Sequence, residues 1–492
     1  MSFGFGYGLG FGGYSAKYDN DAQNYFDYFS DLPVTYKNAV NIFVTELKKY
    51  GLWQKLKYGL LCPITLDDTK TVLDLKTATI LSGAKLEGQS STGNRSAMCC
   101  TTPIGFRFII AEDRVETGAI ASAIHIVNDM CIVHNSLFDN GTGSTNFYGA
   151  NQGSSNTWVL TPRSGTNTLT QRWYSNTNNS GSNQITGITS DLGDWVSSRR
   201  SLTDAEIYNN GVSIASFANG GGGLPNVQFF LGGQNNAGVI SNERAHTCLF
   251  HLQFSGLTDS EVTNLKICTD NYKSNINVST ITRNLIWDGN SLSVYENKNA
   301  MRAALYYSFN NNKKTYKWEN KAIGGQTTAS MISDYATEIA PLYNATYYNN
   351  IYVMWEGRND FYNGHSAADV KINILALKDL AISTGFTVII PICSATKFTG
   401  NIGGLSETNY NLGIDEINQY IMSLHNGTTV YSIDLTYVGV QAWRSDYASD
   451  ADYNTALTNI RTTYTIDETH LTKEGYRLVG YAIATQALDL IG

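Results

Sequence analysis

Charge is scarce in this sequence. Asp, Glu, Lys and Arg make up 15% of its 492 residues, against roughly a quarter in an ordinary soluble domain. The balance is acidic, −8 at pH 7, so no broad basic field exists to hold phosphates, and nucleic acid is excluded as a partner. No run of about 18 apolar residues occurs, which argues against membrane insertion. The seven cysteines are an odd, scattered set in which only Cys99 and Cys100 adjoin. They form neither a disulfide framework nor a metal-type spacing, and no cofactor is implied. The opening MSFGFGYG has no basic segment followed by an apolar one, so no secretory leader is expected. The chain is expected to be made in a reducing cytosol and, if it works outside the cell, to leave by lysis or as part of a particle.

In place of charge the sequence has 31 tyrosines, 45 glycines and abundant Asn, Ser and Thr. Such a neutral-polar surface suits sugars or other protein subunits. The length exceeds what one core holds, so two domains plus extensions are expected. Residues 1–34 begin as a Gly/aromatic low-complexity segment, expected to be a flexible arm or a peptide that docks on a partner. Its Gly-x-Gly spacing has no preceding strand, which argues against a dinucleotide loop.

Residues 35–69 form a helical connector. Val40, Phe43, Val44, Leu47, Leu52, Trp53 and Leu56 recur at helical spacing up to about Leu60, with Gly51 as an interruption. Lys48, Lys49, Lys55 and Lys57 make a solvated face. Residues 70–275 are expected to be all-β, a sandwich of short strands separated by Gly, Asn and Ser clusters. Within TCLFHLQFSGL, Cys248, Phe250, Leu252 and Phe254 alternate with Leu249, His251 and Gln253. A linker is placed at 272–280.

From 276 to 492 strands and helices alternate. Strands are predicted at 284–288, 315–319, 350–355, 386–394 and 428–435. Helices are predicted near 292–309, 327–342, 366–384, 413–425 and 473–491. Ser366 and Asp369 form a capping box, and Gly385 ends that helix. Continuous apolar strands such as IYVMW predict a doubly wound parallel sheet, with its ligand site at the carboxyl ends of the strands.

Four segments reach that edge. Ser291, after Asp288-Gly289-Asn290, opens a helix and is a candidate nucleophile as well as a candidate cap. Gly324 and Gly325 follow the second strand and let a backbone N–H approach a substrate. Gly357, Asn359 and Asp360 follow the third, where an Asn amide donates to a developing oxyanion. Asp467 lies three residues before His470, a spacing at which a carboxylate orients an imidazole. Asp446, Asp450 and Asp452 lack EF-hand spacing and suit a solvated loop or helix start better than a calcium site.

The order EIYNNGVSIAS, FFLGGQNNAG and TCLFHLQFSGLTDSEVTNL resembles the concanavalin A/laminin-G-type jelly rolls of phage structural proteins. The four C-terminal segments resemble the blocks of the SGNH/GDSL hydrolases. Gly289-Asn290-Ser291-Leu292-Ser293 stands for Gly-Asp-Ser-Leu-Ser, and Asn320-x-x-Ile323-Gly324-Gly325 for the glycine block. Gly357-x-Asn359-Asp360 and Asp467-x-x-His470 are the remaining two. The resemblance implies a flavodoxin-like fold and a triad of Ser291, His470 and Asp467. It also implies an oxyanion hole from the Ser291 amide, the Gly325 (or Gly324) amide and the Asn359 side chain, supported by Gly289, Asn290, Gly357 and Asp360. Asn290 in place of Asp keeps shape and acceptor capacity, so tuning rather than loss of activity is expected.

Together these imply a virion-associated serine esterase that deacetylates a host surface polysaccharide, as part of a tail, fibre or other appendage. It would act at the host cell surface and dock to other virion proteins through its arm. A homotrimer is the expectation by analogy alone. A non-enzymatic glycan-binding adhesin or structural subunit is the alternative.

Overall fold

The computed structural model describes residues 18–66, 71–82, 84–87, 100–102, 105–108, 114–126, 128–137, 147–152, 157–161, 168–173, 182–217, 223–232, 234–241, 246–276, 283–294, 300–312, 314–397 and 402–491. The Gly-rich start of the arm, residues 1–17, lies outside them.

Two antiparallel-rich sheets face each other in the N-terminal half. One runs in the spatial order Val212–Phe217, Ala205–Asn209, Gly193–Arg199, Met130–Ser136, Phe250–Phe254, Leu56–Leu61, Leu73–Asp74, Thr79–Ile80. The second is centred on Thr157–Thr161, Tyr148–Asn151 and Gln228–Leu231. Their inner faces share a core of Tyr58, Ile132, Tyr148, Trp158, Trp195 and Phe229.

Residues 56–61 depart from the expected helical connector. The helix Val34–Lys49 ends near Gly51, which takes φ +73°, and after one turn, Leu52–Lys55, the chain becomes the strand Leu56–Leu61. That strand pairs with both Phe250–Phe254 and Leu73–Asp74. Helical spacing and a strand buried on both faces share Leu56 and Leu60, and sheet pairing decides between them. The arm departs as well. Asn20–Phe26 is a helix capped by Asp19, with Ala22, Tyr25 and Phe26 buried. The lysine face is only partly free: Lys48 pairs with Asp19 and Asp21, and Lys55 with Glu261.

The expected linker at 272–280 begins inside a helix. Asp259–Asn275 starts at a full capping box, Thr258 with Glu261, and buries Tyr272. Residues 277–282 lie outside the described set. This helix and Val34–Lys49 cover the outer face of the first sheet, where Phe43 and Phe250 meet Tyr272 at ring distances of 5.3 and 6.4 Å. The same apolar cluster continues into the C-terminal half. Across that junction Arg302 donates to Thr65 O and Tyr306 to Asp31 O, each at 2.5 Å.

The C-terminal half is a five-stranded sheet in the order Lys317–Asn320, Arg283–Gly289, Asn349–Trp355, Thr387–Pro391, Val430–Ile433, and every pair is parallel. In sequence order this is 2-1-3-4-5, the flavodoxin-like arrangement, whose direction reverses between Arg283–Gly289 and Asn349–Trp355. All five expected strands occur. The helix Ala367–Thr384 has the Ser366–Asp369 capping box, and Gly385 at φ +108° ends it. Glu407–Ser423 starts earlier than expected because Ser406 caps it. The aspartates near 450 open a further helix, Asp450–Tyr464, where Ser449 caps Asp452 and Arg444 pairs with Asp450.

Candidate active site

At the carboxyl end of Arg283–Gly289 the chain must turn sharply. Gly289 takes φ +152°, and a Cβ there would stand 2.6 Å from Trp355 O, so no other residue fits without displacing the neighbouring strand. Asn290 then serves as the cap of the short helix Ser291–Val294, its Oδ1 accepting from Leu292 N at 2.8 Å. The acceptor role expected of this Asn is the one it fills. Ser291 is therefore not the capping side chain, and its half-buried hydroxyl faces another segment.

That segment is the loop before the last helix, Lys473–Ile483. Ser291 Oγ lies 3.2 Å from His470 Nε2, and His470 Nδ1 lies 2.9 Å from Asp467 Oδ2. Asp467 Oδ1 accepts from the backbone amides of His470 (2.7 Å) and Thr469 (3.0 Å). Partial burial opposes the charge on Asp467. The hydrogen bonds from the His470 ring and the two amides outweigh it and hold the carboxyl below the usual carboxylate range. An Nδ1–H donated to Asp467 leaves Nε2 as an acceptor for the serine O–H. The His470 and Asp467 side chains are 36% and 49% exposed, which leaves the row open to a solute.

The loop carrying His470 is held from several sides. Ile466 N donates to His470 O and Thr472 N to Tyr464 O, closing a small bridge. Thr469 Oγ1 donates to Lys397 O at 2.6 Å, and Lys397 N donates to Glu468 O at 2.8 Å. Glu468 sits at φ +63°, a conformation uncommon outside glycine.

The glycine segment runs beside the serine turn. Lys321 N donates to Trp287 O, Ile323 N to Gly289 O, and Asn320 Nδ2 to Ser293 O. Gln326 N donates to Ile323 O across a tight turn centred on Gly324 and Gly325. Gly325 has φ +79°, and the space its Cβ would fill is open. Its N–H donates to no acceptor among the described residues.

The third segment ties to the second. Asn359 Nδ2 donates one hydrogen to Gln326 O at 2.7 Å and keeps another. Asp360, fully buried, accepts from Thr328 Oγ1 at 2.6 Å and Thr328 N at 3.1 Å, at the start of the helix Thr328–Asp334. Gly357, at φ +134°, opens the helix Arg358–Tyr362. All four predicted segments thus meet on one edge, at the point where strand order reverses. The sequence reading passed over Glu356, Arg358 and the anchors of the His470 loop. A Glu directly after the apolar run IYVMW was a signal for the first.

No family model matches this sequence, and no curated protein matches it. Solved structures do resemble it in part. An acetyl-xylooligosaccharide esterase from Geobacillus stearmophilus is 11% identical, over 42% of this chain and 94% of its own, with a TM-score of 0.32. A GDSL-like lipase from Bacteroides thetaiotaomicron is 17% identical over 44% and 95%, TM-score 0.30. A member of the lipolytic G-D-S-L family from Veillonella parvula is 18% identical over 42% and 98%, TM-score 0.30. At this level of likeness, function rests on the site itself.

Along the helix that follows His470 lies a cleft of about 460 Å³, where Asp31 and Leu66 face Tyr306, Tyr307 and Lys473. Among the described residues no cluster of His, Cys, Asp and Glu is arranged to hold a metal, and no helix is long and apolar enough to cross a membrane.

Proposed function

We propose that the C-terminal half is a serine esterase of the SGNH type. The observation that carries this is the row Ser291–His470–Asp467, with contacts of 3.2 and 2.9 Å between residues 179 and 3 apart in sequence. A hydroxyl, an imidazole and a carboxylate in that order are what acyl transfer requires.

In the reaction, His470 Nε2 takes the Ser291 proton as Oγ attacks the ester carbonyl. Asp467 stabilises the imidazolium and fixes its orientation. The Ser291 and Gly325 amides and the second Asn359 Nδ2 hydrogen donate to the tetrahedral oxyanion, each worth roughly 2.7–4 kcal/mol in such sites. His470 then gives its proton to the departing alkoxide. Water, deprotonated by the same nitrogen, attacks the acyl-serine, and acid leaves as the serine regains its proton. No step calls for a metal or cofactor.

The substrate we propose is an acetylated polysaccharide at a host cell surface. In support stand the charge-poor, tyrosine-rich composition, the adjoining β-sandwich, and a cleft along the helix after His470 whose lining includes Tyr307, Lys473 and Arg477. Attachment to a phage appendage through the arm, with a jelly roll as the sandwich and trimeric assembly, is proposed with it on sequence resemblance alone. Acetate release from candidate host polysaccharides, run beside Ser291→Ala, tests the whole. Release by the native protein alone is expected. Glycan binding with no ester loss would favour the adhesin instead.

A further inference from the structure

Glu356 lies between the third strand and the helix carrying Asn359, and it is 5% exposed. Its Oε1 accepts from Gly357 N at 2.9 Å and from Asn359 N at 3.0 Å. These are two of the amides that the short helix Arg358–Tyr362 leaves unpaired at its start. Its Oε2 is buried and has no hydrogen-bond partner among the described residues. Cys393 Sγ donates to Glu356 O at 3.8 Å. The helices packed around Gly357 present Val370 and Ile417 there. The ionisable groups facing Glu356 are Asp360 and Arg358 on its own segment and the Cys393 thiol.

We propose that Glu356 is a positioning residue of the oxyanion loop: one buried carboxyl oxygen gathers the two amides that set where the Asn359 side chain points. The inference rests on the esterase reading and adds a residue to it. Burial, and then the like charge of Asp360, push the Glu356 carboxyl up to about 8 against the two amides. At neutral pH it is an uncharged acid that still accepts from both amides. Above that value it becomes a second anion beside the Asn359 amide, where negative charge is to develop on the substrate. Activity therefore falls on the alkaline side for a reason outside the triad. Burial, with the Glu356 charge second, pushes Cys393 up to about 12, so the thiol does not titrate in that window.

The stability consequence has a definite sign. Unfolded, the carboxyl ionises near 4.5, and folded near 8. Between those values the native chain holds a proton that the unfolded chain gives up, so stability falls as pH rises across the window.

The test compares native protein, Glu356→Gln, Glu356→Ala and Ser291→Ala on an aryl acetate from pH 6 to 10. Infrared spectra of the same samples follow the C=O band of a protonated carboxyl. Gln keeps the accepting oxygen and cannot ionise. It is expected to retain kcat within about threefold at pH 7 and to lose the alkaline decline near pH 8. Ala is expected to lower kcat about 10–100-fold with KM little changed, as a misplaced catalytic group does. A protonated-carboxyl band that fades near pH 8 in native protein and is missing from Glu356→Gln is also expected. An unchanged alkaline limb in Glu356→Gln, or full kcat in Glu356→Ala, beside an inactive Ser291→Ala, overturns the role of Glu356 alone. Equal turnover by native protein and Ser291→Ala overturns the esterase reading and this one with it.

Discussion

The two halves of this chain use imidazoles in opposite ways. In the sandwich, His134 and His251 stand opposite each other on paired strands, both fully buried, with rings 5.7 Å apart. His125 Nε2 and Gln253 Oε1 are 3.1 Å apart, and Gln253 Nε2 reaches His251 Nε2 at the same distance. Burial pushes His125 down to about 4. Burial, with His125 as neighbour, pushes His251 down to about 3. Burial thus keeps His125 and His251 neutral at pH 7. In the C-terminal half the His470 side chain is 36% exposed, and its Nδ1 lies 2.9 Å from the Asp467 carboxylate. Exposure and a carboxylate partner, rather than residue type, are what fit His470 for the proton-carrying role proposed above and set it apart from the core histidines.

The sharpest break in that contrast is at the serine. Ser291→Ala should lower kcat on an aryl acetate by about 10⁴-fold or more, since in the proposed mechanism the nucleophile and base act as a unit. The melting temperature should be unchanged. Asp467→Asn should lower kcat by roughly 10³-fold by weakening the hold on the imidazole, less than in buried triads because this carboxyl is half exposed. Asn359→Ala should cost about 10²–10³-fold in kcat. It falls short of the serine variant because two backbone donors remain.

The sandwich should answer to acid rather than to these substitutions. His125 and His251 have folded pKa values below the unfolded value of 6.5. Their neutral burial is fully compatible with folding above that pH and becomes a cost as pH falls toward 4, about 2–3 kcal/mol each by pH 4.5. Denaturant unfolding at pH 7 and 4.5, followed by near-ultraviolet dichroism, should show the loss, and His251→Phe should reduce it. Preservation of full stability at pH 4.5 would mean that these rings are hydrated. The smallest effect is expected at Ser366→Ala, about 1 kcal/mol of stability from a lost cap and no change in turnover.

Legibility differed between the halves for physical reasons. The α/β strands are apolar on both faces, and their helices carry caps, so local composition marks them. In the sandwich the alternation of Phe250, Leu252 and Phe254 with His251 and Gln253 was visible, yet which side meets solvent was not. Neither does. The phenylalanines face the helical layer, while the histidine and glutamine lie inside between the sheets. Leu56–Leu61 was counted on a helix because its leucines fit both periods, and only pairing with strands far along the chain makes it a strand.

The site shows the same division. Residue type and spacing within each short segment marked Ser291, the pair Gly324 and Gly325, Asn359, Asp467 and His470 as candidates, because turns, caps and the three-residue Asp–His interval are local. The resemblance of the four segments together to the SGNH/GDSL blocks supplied their expected roles. Contacts between segments belong to the fold. The 3.2 Å approach of His470 to Ser291, the Asn359–Gln326 bond that joins two loops, and the burial that pushes the Glu356 carboxyl up all depend on groups remote in sequence. Backbone conformation is governed by neighbours along the chain. Distance, desolvation and protonation are governed by whatever the tertiary structure packs alongside.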